Sequence, residues 1–168
     1  MSALTKPVRH SRVSPRVSAL LGSTMPAVDW CDAFWVELPA GTPEDPLYWR
    51  DALFGGDAPH RPSWLMRARD LVAGVIGLKN AASGNGVTYP VLALGDREVV
   101  IGMNDRHLDF RVSLTVRPFG SEMLLVTTAV CRHNLLGRAY FGVVKIPHLL
   151  LVPRWTRRAV CRASVAVA

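Results

Sequence analysis

The sequence contains few cysteines, and their spacing is typical of neither a metal site nor a disulfide framework. The three cysteines among 168 residues are Cys31, Cys131 and Cys161, and no two of them form a CxxC pair. The odd number and wide spacing exclude a zinc ribbon and a disulfide-bonded scaffold. Cys31 and Cys131 stand in apolar stretches, where a cysteine is ordinarily a small buried hydrophobe.

Common catalytic motifs are also missing. The chain has no GxSxG, GxGxxG, HxH or HExxH pattern. His107, Asp109, His133 and His148 are the available metal ligands, but no spacing brings them together, so we predict no metal and no cofactor. Cys131 precedes His133 by two residues, yet a cysteine in an apolar strand is usually inert. The sequence alone leaves open whether the protein is an enzyme.

Long uninterrupted apolar runs are absent as well. None reaches the roughly 18–20 residues of a membrane-spanning helix, and no repeat of about 20–50 residues is visible. The basic N-terminal stretch is interrupted by Pro7 and Pro15 and does not resemble a secretory signal. We therefore expect one soluble, cytoplasmic domain, and a hydrophobic content of 49% is enough for a substantial core.

Acidic residues are missing from both ends of the chain. Residues 1–20 and residues 154–168 each carry four basic and no acidic residues, so the formal net charge of +7 belongs to the ends. A nucleic-acid-binding protein more often carries a basic stripe across its folded face, so we predict no specific nucleic-acid partner. The basic ends are suited to peripheral contact with a membrane surface or a protein partner. A homodimer is left open.

The first half of the chain predicts two strands and two helices. A short strand is expected near residues 17–21 and a first long strand at residues 31–38, where Phe34 and Val36 alternate with Trp35 and Glu37. Residues 45–54 predict a helix, with Asp45 as N-cap and Pro46 in the first turn. Apolar residues at helical spacing predict a second helix at residues 63–78. A loop of small residues follows at 80–86.

The second half predicts a four-stranded antiparallel meander and a long helix. Strands are expected at residues 89–94, 98–103, 107–116 and 123–131, with a turn at residues 118–121. In the third of these, His107, Asp109 and Arg111 face one side and Phe110 faces the other. Asn134 caps the terminal helix, which Pro147 and Pro153 must kink or divide.

This order of elements predicts an α+β fold in which a bent antiparallel sheet covers its apolar face with the C-terminal helix. The pattern looks like a reduced form of the helix-grip architecture (START-like, polyketide-cyclase-like), in which sheet and helix enclose a cavity. We divide the chain into a flexible basic arm (residues 1–26), one α+β domain (27–163) and a frayed tail (164–168).

Several sequence blocks resemble a known family. They are AVDWCDAF from Ala27, YWRDALF from Tyr48, PSWLMRARDLV from Pro62, DRHLDFR from Asp105 and HNLLGRAYF from His133. In this order they resemble the bacterial family catalogued as domain of unknown function 2867, over about residues 27–160. The family has no established activity, so the resemblance assigns no role to any residue. Some relatives look fused to a reductase-like domain, which hints at small-molecule metabolism.

Two polar groups are candidates for chemistry. His107, Asp109 and Arg111 would form a catalytic set if their strand face looks into the cavity, with His107 as acid/base and Asp109 orienting it. The alternative is an ordinary solvated sheet face. His133 and Arg138, where the last strand meets the helix, could bind an anion or a carboxylate, or cap and pin the helix. We predict ligand contacts from Trp64, Phe110, His133, Arg138 and Tyr140, although such aromatic residues are more often core.

The sequence thus favours binding, with acid/base processing such as cyclisation or dehydration as an extension, of a small hydrophobic or polyketide-like molecule in an internal cavity. The alternative is a non-enzymatic interaction module. It would dock its basic, apolar C-terminal helix on a protein partner or a membrane surface.

Overall fold

Six strands form one antiparallel sheet, and a long helix crosses one of its faces. The computed structural model describes residues 9–55, 89–119 and 121–167. The strands are β1 (His10–Val13), β2 (Trp30–Glu37), β3 (Val91–Leu94), β4 (Glu98–Met103), β5 (Leu108–Phe119) and β6 (Ser121–Arg132). The helices are α1 (Ala19–Gly22), α2 (Pro46–Phe54) and α3 (Leu135–Val167).

The strand order across the sheet is β1-β2-β6-β5-β4-β3. Strands β3 to β6 form the predicted meander, and β2 pairs with β6, with Phe34 opposite Val126. This is the predicted α+β fold class, a six-stranded sheet with a long C-terminal helix. Strand β1 adds an edge beside β2, with Arg12 opposite Phe34, so part of the segment assigned to the basic arm joins the sheet.

The two faces of the sheet have different covers. The face that we call the helix side packs against α2 and α3. It holds the main core, in which Phe34, Val112 and Leu114 of the sheet meet Trp49 of α2 and Val160 of α3. The face that we call the outer side is covered by α1, whose Leu21 packs with Val100 and Cys131. Side chains alternate between the two faces along each strand, so every second residue faces the side of α2 and α3 and the others face the side of α1.

Local signals explain where α2 and α3 begin. The carboxylate of Asp45 accepts a hydrogen bond from the backbone of Leu47 at 2.8 Å, and Pro46 occupies the first turn, as predicted. The side chain of Asn134 accepts from the backbone of Gly137 at 3.0 Å and caps α3. Helix α3 continues through Pro147 and Pro153 and is not divided by them.

Two expected elements are wrong in detail. The strand expected near residues 17–21 is instead the short helix α1, because the Ser18 hydroxyl caps it and Leu21 is drawn beneath the sheet. The turn expected at residues 118–121 is tighter, since β5 extends to Phe119 and β6 begins at Ser121. The helix predicted at residues 63–78, with Trp64, and the loop at residues 80–86 lie outside the described residues.

Helix α3 is also long and apolar enough to cross a membrane, judged by length and composition alone. An 18-residue window within Leu135–Ala166 has a mean hydropathy of 1.4, and only 11% of that window is buried. The sequence analysis expected no spanning helix because the apolar residues are interrupted. The core helices of soluble proteins can have the same length and composition.

Candidate functional site

Two clusters of polar side chains lie near the start and the middle of α3. We call the first the junction cluster; it consists of Asp105, His107, Asp109, His133 and Asn134, where β5 and β6 meet the start of the helix. We call the second the interior cluster; it consists of Arg12, Asp32 and His148, between the helix side of the sheet and the middle of α3. The sequence analysis singled out most of the first and none of the second as a site.

In the junction cluster, both ring nitrogens of His107 are hydrogen-bonded within the chain. The Nε2 atom accepts from Nε of Arg106 at 2.8 Å, and Nδ1 lies 3.2 Å from Oδ1 of Asn134. The side-chain nitrogen Nδ2 of Asn134 lies 3.0 Å from the same Nδ1 atom. The same Asn134 oxygen caps α3, so His107 ties the start of the helix to the start of β5.

Asp109 links this arrangement to the last strand. Its Oδ1 atom accepts from the backbone N–H of Asp105 at 3.0 Å and lies 3.2 Å from Nε2 of His133. The Asp105 carboxylate in turn accepts from the backbone of His107 at 3.1 Å. The structure therefore brings together His107, Asp109 and His133 of the predicted residues. Asp109 and His107 are almost wholly buried, whereas His133 reaches the surface.

Arg111 is separated from the others by its own contacts. Its side chain is buried on the outer side, at 2% exposure, and its Nε and Nη2 atoms donate to the carbonyl oxygen of Thr24 at 3.0 and 2.7 Å. Its Nη1 atom donates to the carbonyl oxygens of Met103 and Phe110. Burial lowers the pKa of Arg111, and the nearby charge of Asp109 partly opposes that shift. In this position Arg111 fastens the segment that follows α1 to the sheet.

The predicted ligand contacts are dispersed. Phe110 is half-buried on the helix side and meets the ring of Tyr89 edge-on at 4.9 Å between centroids. Tyr140 packs beside Leu108 and Phe141 in a small apolar cluster, while Arg138 is exposed. Trp64 lies outside the described residues. Phe110 and the catalytic set predicted around His107 thus occupy opposite sides of the sheet.

The interior cluster is built on aromatic contacts between β2 and α3. The ring of Trp30 lies 4.9 Å from Phe141 and 5.7 Å from the imidazole of His148, measured between centroids. Lys145 places Nζ 5.8 Å from the centre of the same indole. These contacts hold the middle of α3 over the edge of the sheet and orient His148 toward β2.

Asp32 supplies the negative charge of this cluster. Its Oδ1 atom lies 3.7 Å from Nη1 of Arg12, and its Oδ2 atom lies 4.0 Å from Nε2 of His148. The Nε2 atom is buried and makes no hydrogen bond. A carboxylate, a guanidinium and an imidazole therefore meet on an otherwise apolar face, which is costly unless the charges compensate one another.

Burial determines the protonation of His148. It lowers the pKa of the imidazole below its usual value; the charge of Asp32 opposes this shift and that of Arg12 adds to it. At neutral pH the ring is accordingly neutral and has one donor and one acceptor nitrogen. A neutral imidazole beside a carboxylate can exchange hydrogen bonds with a hydroxyl or carbonyl group of a bound molecule.

The central part of helix α3 has no fully buried side chain between Phe141 and Thr156. Phe141 near one end and Thr156, Ala159 and Val160 nearer the other are buried. Lys145, His148 and Val152, which recur at helical spacing between them, are only partly buried. Across from this central part the sheet presents the half-buried side chains of Trp30, Asp32 and Phe110.

Sequence reasoning missed Asp32, and a signal for it was present. The alternation in β2 that places Phe34 and Val36 on the core side places Asp32 on that same side. A carboxylate on the apolar face of a buried strand needs a partner. The sequence does not identify that partner, because His148 and Arg12 are remote from Asp32 in the chain and meet it only in the tertiary structure.

Metal-ligand geometry is not found in the part of the chain that the structure describes: no three His, Cys, Asp or Glu side chains there converge on one point. The described cysteines are unpaired, and burial raises the pKa of the Cys31 and Cys131 thiols.

Fold and clusters together define an α+β protein in which a long C-terminal helix crosses an antiparallel sheet and encloses ionisable side chains. The chain belongs to the family described as Protein of unknown function (DUF2867), whose model matches residues 24–155. No curated protein matches the chain. A solved structure, CalU16 from Micromonospora echinospora, is similar at 12% identity and a TM-score of 0.33, over 95% of this chain and 98% of that one.

Proposed function

We propose that the protein binds a small, mostly apolar molecule between the helix side of the sheet and the central part of α3. The observation that carries this proposal is the approach of the buried, unbonded Nε2 atom of His148 to within 4.0 Å of Asp32, beneath the part of α3 that has no fully buried side chain between Phe141 and Thr156. Ligand sites in proteins are commonly apolar clefts with a few convergent polar groups, and this region has that composition.

The chemistry of the lining indicates the class of ligand. Trp30 and Phe110 offer aromatic surface on the helix side, which favours a flat or aromatic molecule, including a polyketide-like one. Asp32 and the neutral His148 favour a molecule with a hydroxyl or enol group, because such a group can donate to the carboxylate and accept from the ring.

Acid/base processing is the extension of this proposal. A carboxylate beside a neutral imidazole can accept a proton from a ligand and return it elsewhere, as cyclisation or dehydration requires. We assign this step to Asp32 and His148 because Asp32 lies on the same sheet face as Trp30 and Phe110, and His148 of α3 meets the Trp30 ring above that face. The set of His107, Asp109 and Arg111 stays a prediction from the sequence.

Native mass spectrometry of the full chain, purified from its own host, is the first test. We expect a retained small molecule in the folded protein. 2-Naphthol serves as a defined probe that combines an aromatic surface with one hydroxyl group. We expect it to bind, and we expect D32N and F110A each to weaken binding by about 10-fold, as loss of one hydrogen bond or one aromatic contact would.

D96N and Y48A are the controls, because they change an aspartate at a turn and an aromatic residue at an exposed helix position. They should leave binding unchanged. A protein that carries no small molecule and binds 2-naphthol no better than its D32N and F110A variants would contradict the proposal.

A further inference from the structure

The outward face of α3 combines exposed apolar side chains with a basic end. Val143, Ile146 and Leu150 recur at intervals of three and four residues and are 62%, 64% and 53% exposed. The same side continues into Arg154, Arg157 and Arg158, all exposed. We call these six residues the outer stripe of α3. Large apolar side chains so exposed, in a row, are typical of an interaction surface.

The charge of the helix narrows the choice of partner. Helix α3 contains six basic residues and no acidic one, namely Arg138, Lys145, Arg154, Arg157, Arg158 and Arg162. A second copy of the chain is disfavoured on this stripe, because each copy would bring a helix that carries only positive charge to the contact. An anionic surface is favoured for the same reason.

We propose that the outer stripe binds the surface of a membrane containing anionic lipids. The apolar side chains would enter the boundary between headgroups and acyl chains, and the arginines would pair with lipid phosphates. This surface is on the side of α3 opposite the interior cluster, so the inference is independent of the proposed ligand.

The helix lies on such a surface rather than spanning it. Phe141, Thr156, Ala159, Val160 and Ala163 are buried in the protein. Length and composition alone would allow α3 to span a membrane, but a spanning helix would have to leave the sheet and expose these five side chains to lipid. An interfacial helix tolerates basic residues and keeps one side packed against its own domain.

The test is co-sedimentation of the full chain with vesicles. We expect binding to vesicles of equal parts phosphatidylglycerol and phosphatidylcholine, and little binding to phosphatidylcholine alone. The triple variant R154Q/R157Q/R158Q should bind on the order of 100-fold more weakly, since each basic residue near an anionic surface contributes about a factor of five. R16Q/R97Q/R117Q removes the same charge from exposed positions outside α3 and should bind nearly as well as the wild type.

The apolar half of the stripe is tested separately. V143S/I146S/L150S should also lose binding, whereas L92S/L94S, which changes exposed leucines of β3, should not. Circular dichroism confirms that each variant is folded. The proposal is overturned if the two arginine triple variants lose vesicle binding equally, if the protein binds both vesicle types equally, or if it binds no vesicles at all. A wild-type dimer that V143S/I146S/L150S dissociates would also overturn it and assign the stripe to a second copy.

Discussion

Arg12 donates a hydrogen bond from Nη2 to the backbone carbonyl oxygen of Leu149 at 2.6 Å. In an uninterrupted helix this carbonyl would accept from the backbone N–H of residue 153, but Pro153 has none. The guanidinium therefore supplies the donor that the proline removes. The same contact joins the edge strand β1 to the middle of α3, beside Asp32 and His148.

The first prediction follows because the guanidinium of Arg12 takes the place of the N–H that Pro153 lacks. R12M should reduce the free energy of unfolding by about 1 kcal/mol, the usual net contribution of one hydrogen bond. We expect no larger effect, because the Arg12 side chain is half exposed and its charge is screened by solvent. The loss should be smaller when R12M is made in a P153A background, because the alanine restores the helical N–H. Urea denaturation of the four proteins of this cycle measures the coupling.

R16M is the matched control, since it removes an exposed arginine a few residues along the chain. Its effect should stay within about 0.5 kcal/mol in either background. An equal loss for R12M in the wild-type and the P153A backgrounds would show that Arg12 and Pro153 are not coupled.

The second prediction concerns Arg111, whose guanidinium is buried among carbonyl oxygens of three separate segments. R111M would leave those oxygens without a donor, so we expect a loss of about 3 kcal/mol in the free energy of unfolding. R111K should recover only part of it, because an ammonium group cannot reproduce the planar fork.

R117M is the comparison, because Arg117 is an exposed arginine of the same strand. We expect it to change stability by less than about 0.5 kcal/mol. A similarly small effect for R111M would mean that the guanidinium does not hold the segment after α1, and would return Arg111 to the candidates for ligand binding.

The parts of the fold that the sequence predicts well are those with local causes. Helix α2 begins where Asp45 and Pro46 predict it, because cap and proline act within a single turn. The meander follows from alternation within each strand. The error at residues 17–21 has a local cause in the Ser18 cap and a tertiary one, since Leu21 packs beneath strands that come much later in the sequence.

The candidate site also has one part that the sequence predicts and one part that it does not. The proximity of His107, Asp109 and His133 follows from the pairing of neighbouring strands β5 and β6, which the sequence indicates. The meeting of Arg12, Asp32 and His148 depends instead on which side of the sheet α3 crosses, and the sequence left that side open. Alternation showed that Phe110 and Arg111 face opposite sides, but not which of them faces the helix.

The third prediction compares two glycines of α3. A Cβ on Gly137 would overlap with the carbonyl oxygen of His107, which is itself held by the backbone N–H of His133 at 2.9 Å. G137A should therefore destabilise the protein by more than about 2 kcal/mol, because neither backbone can move aside cheaply. A Cβ on Gly142 meets nothing within 4 Å.

G142A should stabilise the protein by about 0.5–1 kcal/mol, the difference in helix propensity between alanine and glycine. Thermal and urea unfolding of both variants against the wild type measure the two effects. If both substitutions stabilise the protein, the first turn of α3 is not packed against His107 as described.

The fourth prediction is a dependence of stability on pH that arises from His148. Burial keeps the pKa of this imidazole below its usual value of 6.5 in the folded protein, whereas the unfolded chain titrates at the usual value. As the pH falls below about 6.5, the unfolded state binds more protons than the folded state, so stability falls until the folded pKa is reached; above that window the imidazole has no effect. Asp32 of β2 and Arg12 of β1 face the ring, and Lys145 lies nearby on α3.

Urea denaturation at about pH 7.5 and about pH 5.5 measures this dependence, and we expect a loss of stability at the lower pH that H148Q largely abolishes. H10Q removes an exposed histidine of β1 and should leave the dependence intact. If H148Q and the wild type lose the same stability between the two pH values, then His148 is not buried as a neutral ring. The acid/base assignment to Asp32 and His148 would then lose its basis, whereas the outer stripe of α3, on the opposite side of the helix, would be unaffected.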